Sequence, residues 1–230
     1  MITCSVCGIV NSELDTICVS CKSFLQARVD ALNLFETIWG LIESPRATLR
    51  KIVLARHKNY AVVLGLVSGL TVFFDIAWMK QLGDRFGELV SLVGMGIVLG
   101  PILGVVALAL VSLMLRLLSK FWRGKATKKN MFAATAYAFV PLAIAAVFVI
   151  PLELATFGID FFGTNPPPAL IKPLEYYLIL GLKSVLWIWM AFLLIEAMMA
   201  ANAFESKRRL PVASCVLGVM GILITAIRFA

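Results

Sequence analysis

The sequence predicts an all-α polytopic membrane protein: five transmembrane helices, N-terminus in and C-terminus out, preceded by a small four-cysteine module. Three observations predict this class. The 230 residues are 61% apolar and 15% charged, where soluble domains average roughly 45–50% and 25%. Mean hydropathy is +0.95, and five apolar stretches reach the length of about 20 residues needed to cross a bilayer. The basic residues fall on alternate connections between those stretches.

The stretches lie at 60–79, 89–115, 131–152, 176–201 and 211–229. Arg46, Arg50, Lys51, Arg56 and Lys58 precede the first. Arg116, Lys120, Arg123, Lys125, Lys128 and Lys129 join the second to the third, and Lys207, Arg208 and Arg209 join the fourth to the fifth. The other side carries only Lys80, Arg85, Lys172 and Arg228. This asymmetry predicts the N-in, C-out orientation. It also accounts for the net charge of +8 without a nucleic-acid partner, which such a balance suggests in a soluble chain. Residues 1–23 lack the basic and apolar regions of a signal peptide, so the first span is expected to serve as the insertion signal. Within the second stretch, Gly100-Pro101 is expected to mark a tilt or break.

The cysteines Cys4, Cys7, Cys18 and Cys21 form two Cys-x-x-Cys pairs ten residues apart. Two residues between thiolates let a tight turn aim both sulfurs at one ion, and Gly8 suits the positive φ of such a turn. Two facing turns complete a tetrahedron, as in a zinc ribbon spanning residues 1–23, with Zn2+ structural because four thiolates leave no open position. Only Ile9, Val10, Leu14 and Ile17 are available as a core, so metal must supply most of the folding free energy. Lys22 stands where a second glycine is common. The competing readings are two disulfides or a redox pair. Disulfides require an oxidising compartment, which the orientation denies, and no βαβ pattern surrounds either pair. Cys215 reads as a small buried hydrophobe within an apolar run.

Residues 24–58 read as two amphipathic juxtamembrane helices ahead of a five-span domain at 59–230. In the first, Val29, Leu32, Phe35, Trp39 and Ile42 form an apolar stripe, with Arg28, Asp30, Glu36 and Glu43 off it. In the second, Ser44-Pro45 supplies N-cap and N1. Its basic side chains suit anionic headgroups, or its Leu49, Ile52 and Val53 side packs on the bundle; the two are compatible. His57 has no visible partner.

Gly96, Gly100 and Gly104 repeat every fourth residue, as do Gly65 and Gly69, which allows close helix packing; a homo-oligomer face is the alternative use. Asp75, Glu153, Lys183 and Glu196 are ionisable residues within or at the ends of spans, where such groups are costly and mark sites by default. Asp75 and Lys183 sit at similar depths, roughly 7–11 Å from the outer end at 1.5 Å per residue, so they are expected to pair, with Glu153 joining them. Arg116 is the expected partner of Glu196. The loop 157–173, with Asn165-Pro166-Pro167-Pro168, is expected to be stiff and extended. There is no His-Glu-x-x-His, Gly-x-Ser-x-Gly or Walker loop, so the chain is not expected to be an enzyme.

Several segments resemble the Yip1-domain family of membrane proteins: Ser44-Pro45-Arg46-Ala47-Thr48-Leu49, Gly124-Lys125-Ala126-Thr127, Ala136-Tyr137-Ala138-Phe139-Val140-Pro141-Leu142, Trp187 to Glu196, and the basic turn before Pro211. The resemblance covers about residues 35–229. It implies a cytoplasmic N-terminus and five spans, and supplies no catalytic residues. Eukaryotic members of the family are linked to Rab GTPases and vesicle traffic. An N-terminal zinc ribbon resembles the prokaryotic members instead, so no Rab partnership carries over and a prokaryotic plasma membrane is implied. The expected function is a non-enzymatic membrane adaptor or organiser whose ribbon recruits an unidentified cytoplasmic protein to the bilayer-embedded bundle. The alternative is a small permease or channel using Asp75, Lys183 and Glu196.

Overall fold

A computed structural model describes residues 2–12, 14–26 and 31–229. The cysteine module is a two-stranded antiparallel sheet, β1 (Ile2–Thr3) and β2 (Val10–Asn11), with Ile2 opposite Asn11, followed by a single bridge between Ile17 and Phe24. The helices then run α1 (Leu34–Glu43), α2 (Pro45–Leu54), α3 (Ala61–Met79), α4 (Gly83–Phe86), α5 (Leu89–Phe121), α6 (Lys128–Ala138), α7 (Val140–Ile144), α8 (Ile150–Phe157), α9 (Pro168–Ile171), α10 (Pro173–Asn202) and α11 (Arg209–Phe229).

Among the described residues five helical stretches are long and apolar enough to cross a membrane: Ala61–Met79, Leu89–Phe121, Val140–Phe162, Pro173–Asn202 and Ser206–Phe229. The chain is an integral membrane protein. Five crossings leave the cysteine module and the C-terminus at opposite ends of the bundle, and the Arg228 carbonyl there accepts from Lys80 Nζ at 3.2 Å. The end carrying the cysteine module also carries the basic connections and is called the basic end below.

The amphipathic segment begins as a helix at Leu34, with Asn33 as its cap: its side-chain oxygen accepts from the backbone N–H of Phe35 and Glu36, replacing two of the acceptors a helix start lacks. Leu32 therefore precedes the helix, and Arg28, Val29 and Asp30 lie outside the described residues. The stripe of Phe35, Trp39 and Ile42 faces outward, and Thr37 and Leu41 are buried instead. Ser44 ends α1 through its N–H to the Gly40 carbonyl, and its own carbonyl accepts from Thr48 N–H at the start of α2. The Leu49, Ile52 and Val53 side of α2 is buried on α6 and α10, so this helix seats on the end of the bundle with Lys51 outward.

The tightest contact is between α3 and α5. A Cβ on Gly69 would lie 2.1 Å from the Gly100 carbonyl oxygen, and one on Gly104 would lie 2.1 Å from that of Gly65. The two glycine series therefore interlock within one chain, while Gly96 receives the rings of Phe73 and Phe74. Pro101 does not break α5, which is one helix from Leu89 to Phe121. A proline in a spanning helix is tolerated where neighbouring helices pack closely against the freed backbone.

The third apolar stretch departs from expectation. It divides at Phe139, where Pro141 lacks the N–H that would continue α6. Met131 and Ala133–Ala138 are buried among α2, α3, α5 and α10, so α6 is apolar because protein surrounds it, and the membrane-length segment starts at Val140. A π-helical turn, Ala145–Val149, then precedes Pro151. The loop after α8 is also not extended. It forms a 3-10 turn at Gly158–Phe162, folds Phe161 and Phe162 into the bundle, and is held by Asp84, whose carboxylate accepts from Thr164 N–H and Oγ1–H. Those hydrogen bonds, the side-chain one first, lower the Asp84 pKa.

Candidate metal centre and intramembrane ion cluster

The two Cys-x-x-Cys turns repeat one hydrogen-bond pattern. Cys4 N–H donates to Ile9 O and Gly8 N–H to Cys4 O; Cys18 N–H donates to Ser23 O and Lys22 N–H to Cys18 O. Gly8 and Lys22 thus occupy the same position of the two turns, and both have positive φ, 71° and 57°. The second turn forms without glycine, at the strain an L-residue carries there. Cys4 and Cys21 Sγ stand 3.6 Å apart and Cys7 and Cys18 Sγ 3.5 Å, and all four sulfurs lie within 4.8 Å of one another. A tetrahedron with metal–sulfur bonds of about 2.3 Å has edges of about 3.8 Å, whereas a disulfide closes to about 2.05 Å. The four cysteines are close enough to hold one metal ion.

The polar surroundings favour thiolates at some sulfurs and oppose them at others. The Ser23 hydroxyl, then the N–H groups of Cys7 and Val6, lower the Cys4 pKa to about 6. At Cys7 a lowering hydrogen bond from Ile9 is outweighed by desolvation and by the thiols of Cys21, Cys18 and Cys4, which push it up to about 12. Four thiolates cannot crowd together without a cation between them. Asn11 locks the turns to each other: Nδ2 donates to Ile9 O and Cys18 Sγ, and Oδ1 accepts from Val19 N–H. Asn11 had no signal in the spacing of the cysteines; only the fold brings it between them.

Little core supports this module. Ile9, Val10 and Ile17 are exposed, and Leu14 packs instead on the core of the membrane bundle. Gln26 extends the contact, donating to Asp15 O and accepting from Arg50. Val6 and Val19, one in each turn, are each 72% exposed, and Phe24, bridged to Ile17, is exposed as well.

At the other end, Lys183 Nζ on α10 lies 2.5 Å from Asp75 Oδ1 on α3 and 2.8 Å from Glu153 Oε1 on α8. Trp187, one turn along α10, donates its indole N–H to Asp75 Oδ2 at 2.9 Å. Phe161 places its ring 5.5 Å from the ammonium, within cation–π range. Glu153 is 0% exposed and its Oε2 has no hydrogen-bond partner. The π turn brings Glu153 into place: Ile150 N–H reaches back five residues to Ala145 O, and one extra residue in a turn rotates everything after it by about 100°. Glu196 is elsewhere, at the basic end, and its partner is Arg209 at the start of α11. Arg116 donates instead to Ala126 O. Both arginines lie at the end that the sequence indicates, but only the packing of α11 on α10 selects between them. Cys215 is half-buried in α11, and His57 is exposed.

A family model described as the Yip1 domain matches residues 39–227. The chain belongs to the Yip1 family. Comparison with curated proteins and with solved structures found no match. The Yip1 domain begins at Trp39, in α1, so the four cysteines precede it. Several segments within the matched range have visible packing roles in this chain. Tyr137 is fully buried and donates its hydroxyl to Asn59 O, tying α6 to the turn before α3. Thr71 donates to Leu142 O just past Pro141. A Cβ on Gly124 would lie 2.3 Å from Asn202 Oδ1 and 2.8 Å from Ser119 O, so the Gly-Lys segment of the Yip1 domain passes where only glycine fits.

Proposed function

We propose that the protein is a non-enzymatic membrane adaptor, in which a structural Zn2+ held by Cys4, Cys7, Cys18 and Cys21 shapes an N-terminal ribbon that recruits a protein to the Yip1 domain. The observation that carries this reading is the two-sided ribbon: Leu14 packs, partly buried, against the core of the bundle, while Val6 and Val19 at the tips of the two turns are exposed. Apolar side chains held outward on a rigid turn are the kind of anchor that interfaces use. The basic end lies in the cytoplasm of a prokaryotic cell in this reading, where thiols stay reduced and the lysine and arginine asymmetry is satisfied. A reporter fused after Phe229 is then expected outside; a reporter active only inside rejects the orientation.

The test is affinity capture from native membranes with three chains: wild type, a chain lacking residues 1–23, and Val6→Asp/Val19→Asp. The expected partner is lost from both altered chains and binds the purified wild-type protein directly. An identical set of captured proteins from all three rejects the adaptor reading.

A small permease is the second reading, favoured by the buried Asp75–Lys183–Glu153 cluster. Against it, Glu196 is thirteen residues from Lys183 along α10, roughly 20 Å at 1.5 Å per residue, and is engaged by Arg209. Solute flux in proteoliposomes that Lys183→Leu abolishes, with the variant still folded, would replace the adaptor reading.

A further inference from the structure

A cavity of about 640 Å³ lies between the ribbon and the basic end of the bundle. Its volume is in the range of small-molecule sites. Strand β2 and Ser12 form one wall, and Trp122 and Phe204 supply apolar surface. Arg46, Arg123, Lys125 and Arg208 line it, against a single carboxylate, Glu205. Among the described residues none of these four cations has a carboxylate within ion-pair distance.

Gathering like charges costs free energy, so the elements that gather them matter. Arg46 donates to the Phe204 carbonyl at 3.5 Å, and Arg208 donates to the Trp122 carbonyl while its guanidinium lies 5.1 Å from the Phe204 ring. Lys125 is placed by its loop. Gly124 donates to Ser119 O, and Asn202 Oδ1 accepts from Ala126 N–H while its Nδ2 donates to Met198 O. Ser119 and buried Asn202 thus hold the residues on either side of Lys125, and Arg123 takes a left-handed φ of 56°. The cations come from α2, from the α5–α6 connection and from the turn into α11, three segments far apart in sequence. Ser206, in the 3-10 turn that leads into α11, also lines the cavity and adds its hydroxyl.

We propose that this cavity binds a phosphate group, either of an anionic lipid headgroup or of a soluble phosphate. Three arginine forks, one lysine and a hydroxyl present more donors than the two oxygens of one carboxylate can accept, whereas phosphate offers three or more acceptor oxygens and up to two charges. Because β2 walls the cavity, an occupant touches both the ribbon and the Yip1 domain. This site is independent of the adaptor reading.

The full chain is placed in phosphatidylcholine nanodiscs and titrated with inorganic pyrophosphate, and separately in nanodiscs containing phosphatidic acid. Native mass spectrometry reads stoichiometry, and hydrogen exchange reads protection at residues 122–126. Saturable binding of one phosphate species is expected in at least one arm. Pyrophosphate binding in the neutral nanodisc identifies a soluble ligand, and binding only of phosphatidic acid identifies a headgroup. The comparison variants are Arg123→Gln/Lys125→Gln in the cavity and Lys128→Gln/Lys129→Gln outside it, all at exposed positions. The first is expected to weaken binding about tenfold or more, and the second to leave it within about twofold. Absence of binding in both arms, or equal weakening by the two variants, overturns the proposal.

Discussion

Lys22 shows how a single residue can be placed correctly and still carry a cost. It adopts the positive φ of Gly8 in the equivalent turn, and an L-residue there is roughly 1–2 kcal/mol less favourable than in its usual regions. Lys22→Gly removes that strain but adds freedom to the unfolded chain. The net expectation is about 0.5–1 kcal/mol of stabilisation, read as slower metal loss to a chelator. Asp84 provides the pH-dependent counterpart. Its folded pKa is lowered by Thr164, so its contribution is present above the ordinary aspartate value of about 3.9 and is lost as pH falls through the lowered folded value. Exchange protection at residues 161–166 is expected to hold from neutrality down to about pH 4 and to fall below it. Asp84→Asn is expected to weaken it at neutral pH.

At the scale of elements, Gly69→Leu is expected to prise α3 from α5, since even a Cβ would sit 2.1 Å from a backbone oxygen. Overpacking of this kind costs about 1–3 kcal/mol or more, measured as a loss of thermal stability in detergent. Lys183→Leu is a different case: it leaves Asp75 and Glu153 buried without their cation, an effect of about 3–5 kcal/mol. Adding Asp75→Asn and Glu153→Gln is expected to recover part of it.

Elements also show where the sequence was legible. Four of the five spans follow from apolar length, because lipid imposes the same demand on every residue of a stretch. The third misleads because hydropathy does not distinguish an environment of lipid from one of protein, and Met131–Ala138 meets protein. The Asp75, Glu153 and Lys183 cluster was suggested by depth alone, whereas the π turn that aims Glu153, and the choice of Arg209 over Arg116 for Glu196, depend on rotation about the helix axes. No spacing rule encodes that rotation. Cysteine spacing indicated the candidate metal ligands, but not Asn11, Ser23 or the seating of Leu14, which arise only once the ribbon is folded and docked.

For the whole molecule, the ribbon and the bundle differ in what stabilises them. The bundle has two buried apolar clusters, one toward each end, while the ribbon's own apolar residues are exposed or lent to the bundle. With zinc bound as proposed, its removal by a chelator is therefore expected to unfold residues 2–26 and leave the helices intact, visible as exchange confined to that segment with unchanged far-UV helical signal. Cys4→Ser/Cys21→Ser is expected to abolish binding of one zinc per chain; retention of that zinc would reject the ligand set.

The interlocked glycines of α3 and α5 also bear on how the protein is made. Those two helices are neighbours in sequence, and their contact uses nothing beyond residue 121. A nascent chain that has delivered only its first two spans already owns its closest helical interface, so the hairpin can be finished while the later spans are still in the ribosome. The remaining helices then assemble against a completed surface, and a bulky substitution at Gly69 would be felt at the insertion machinery before any mature protein exists.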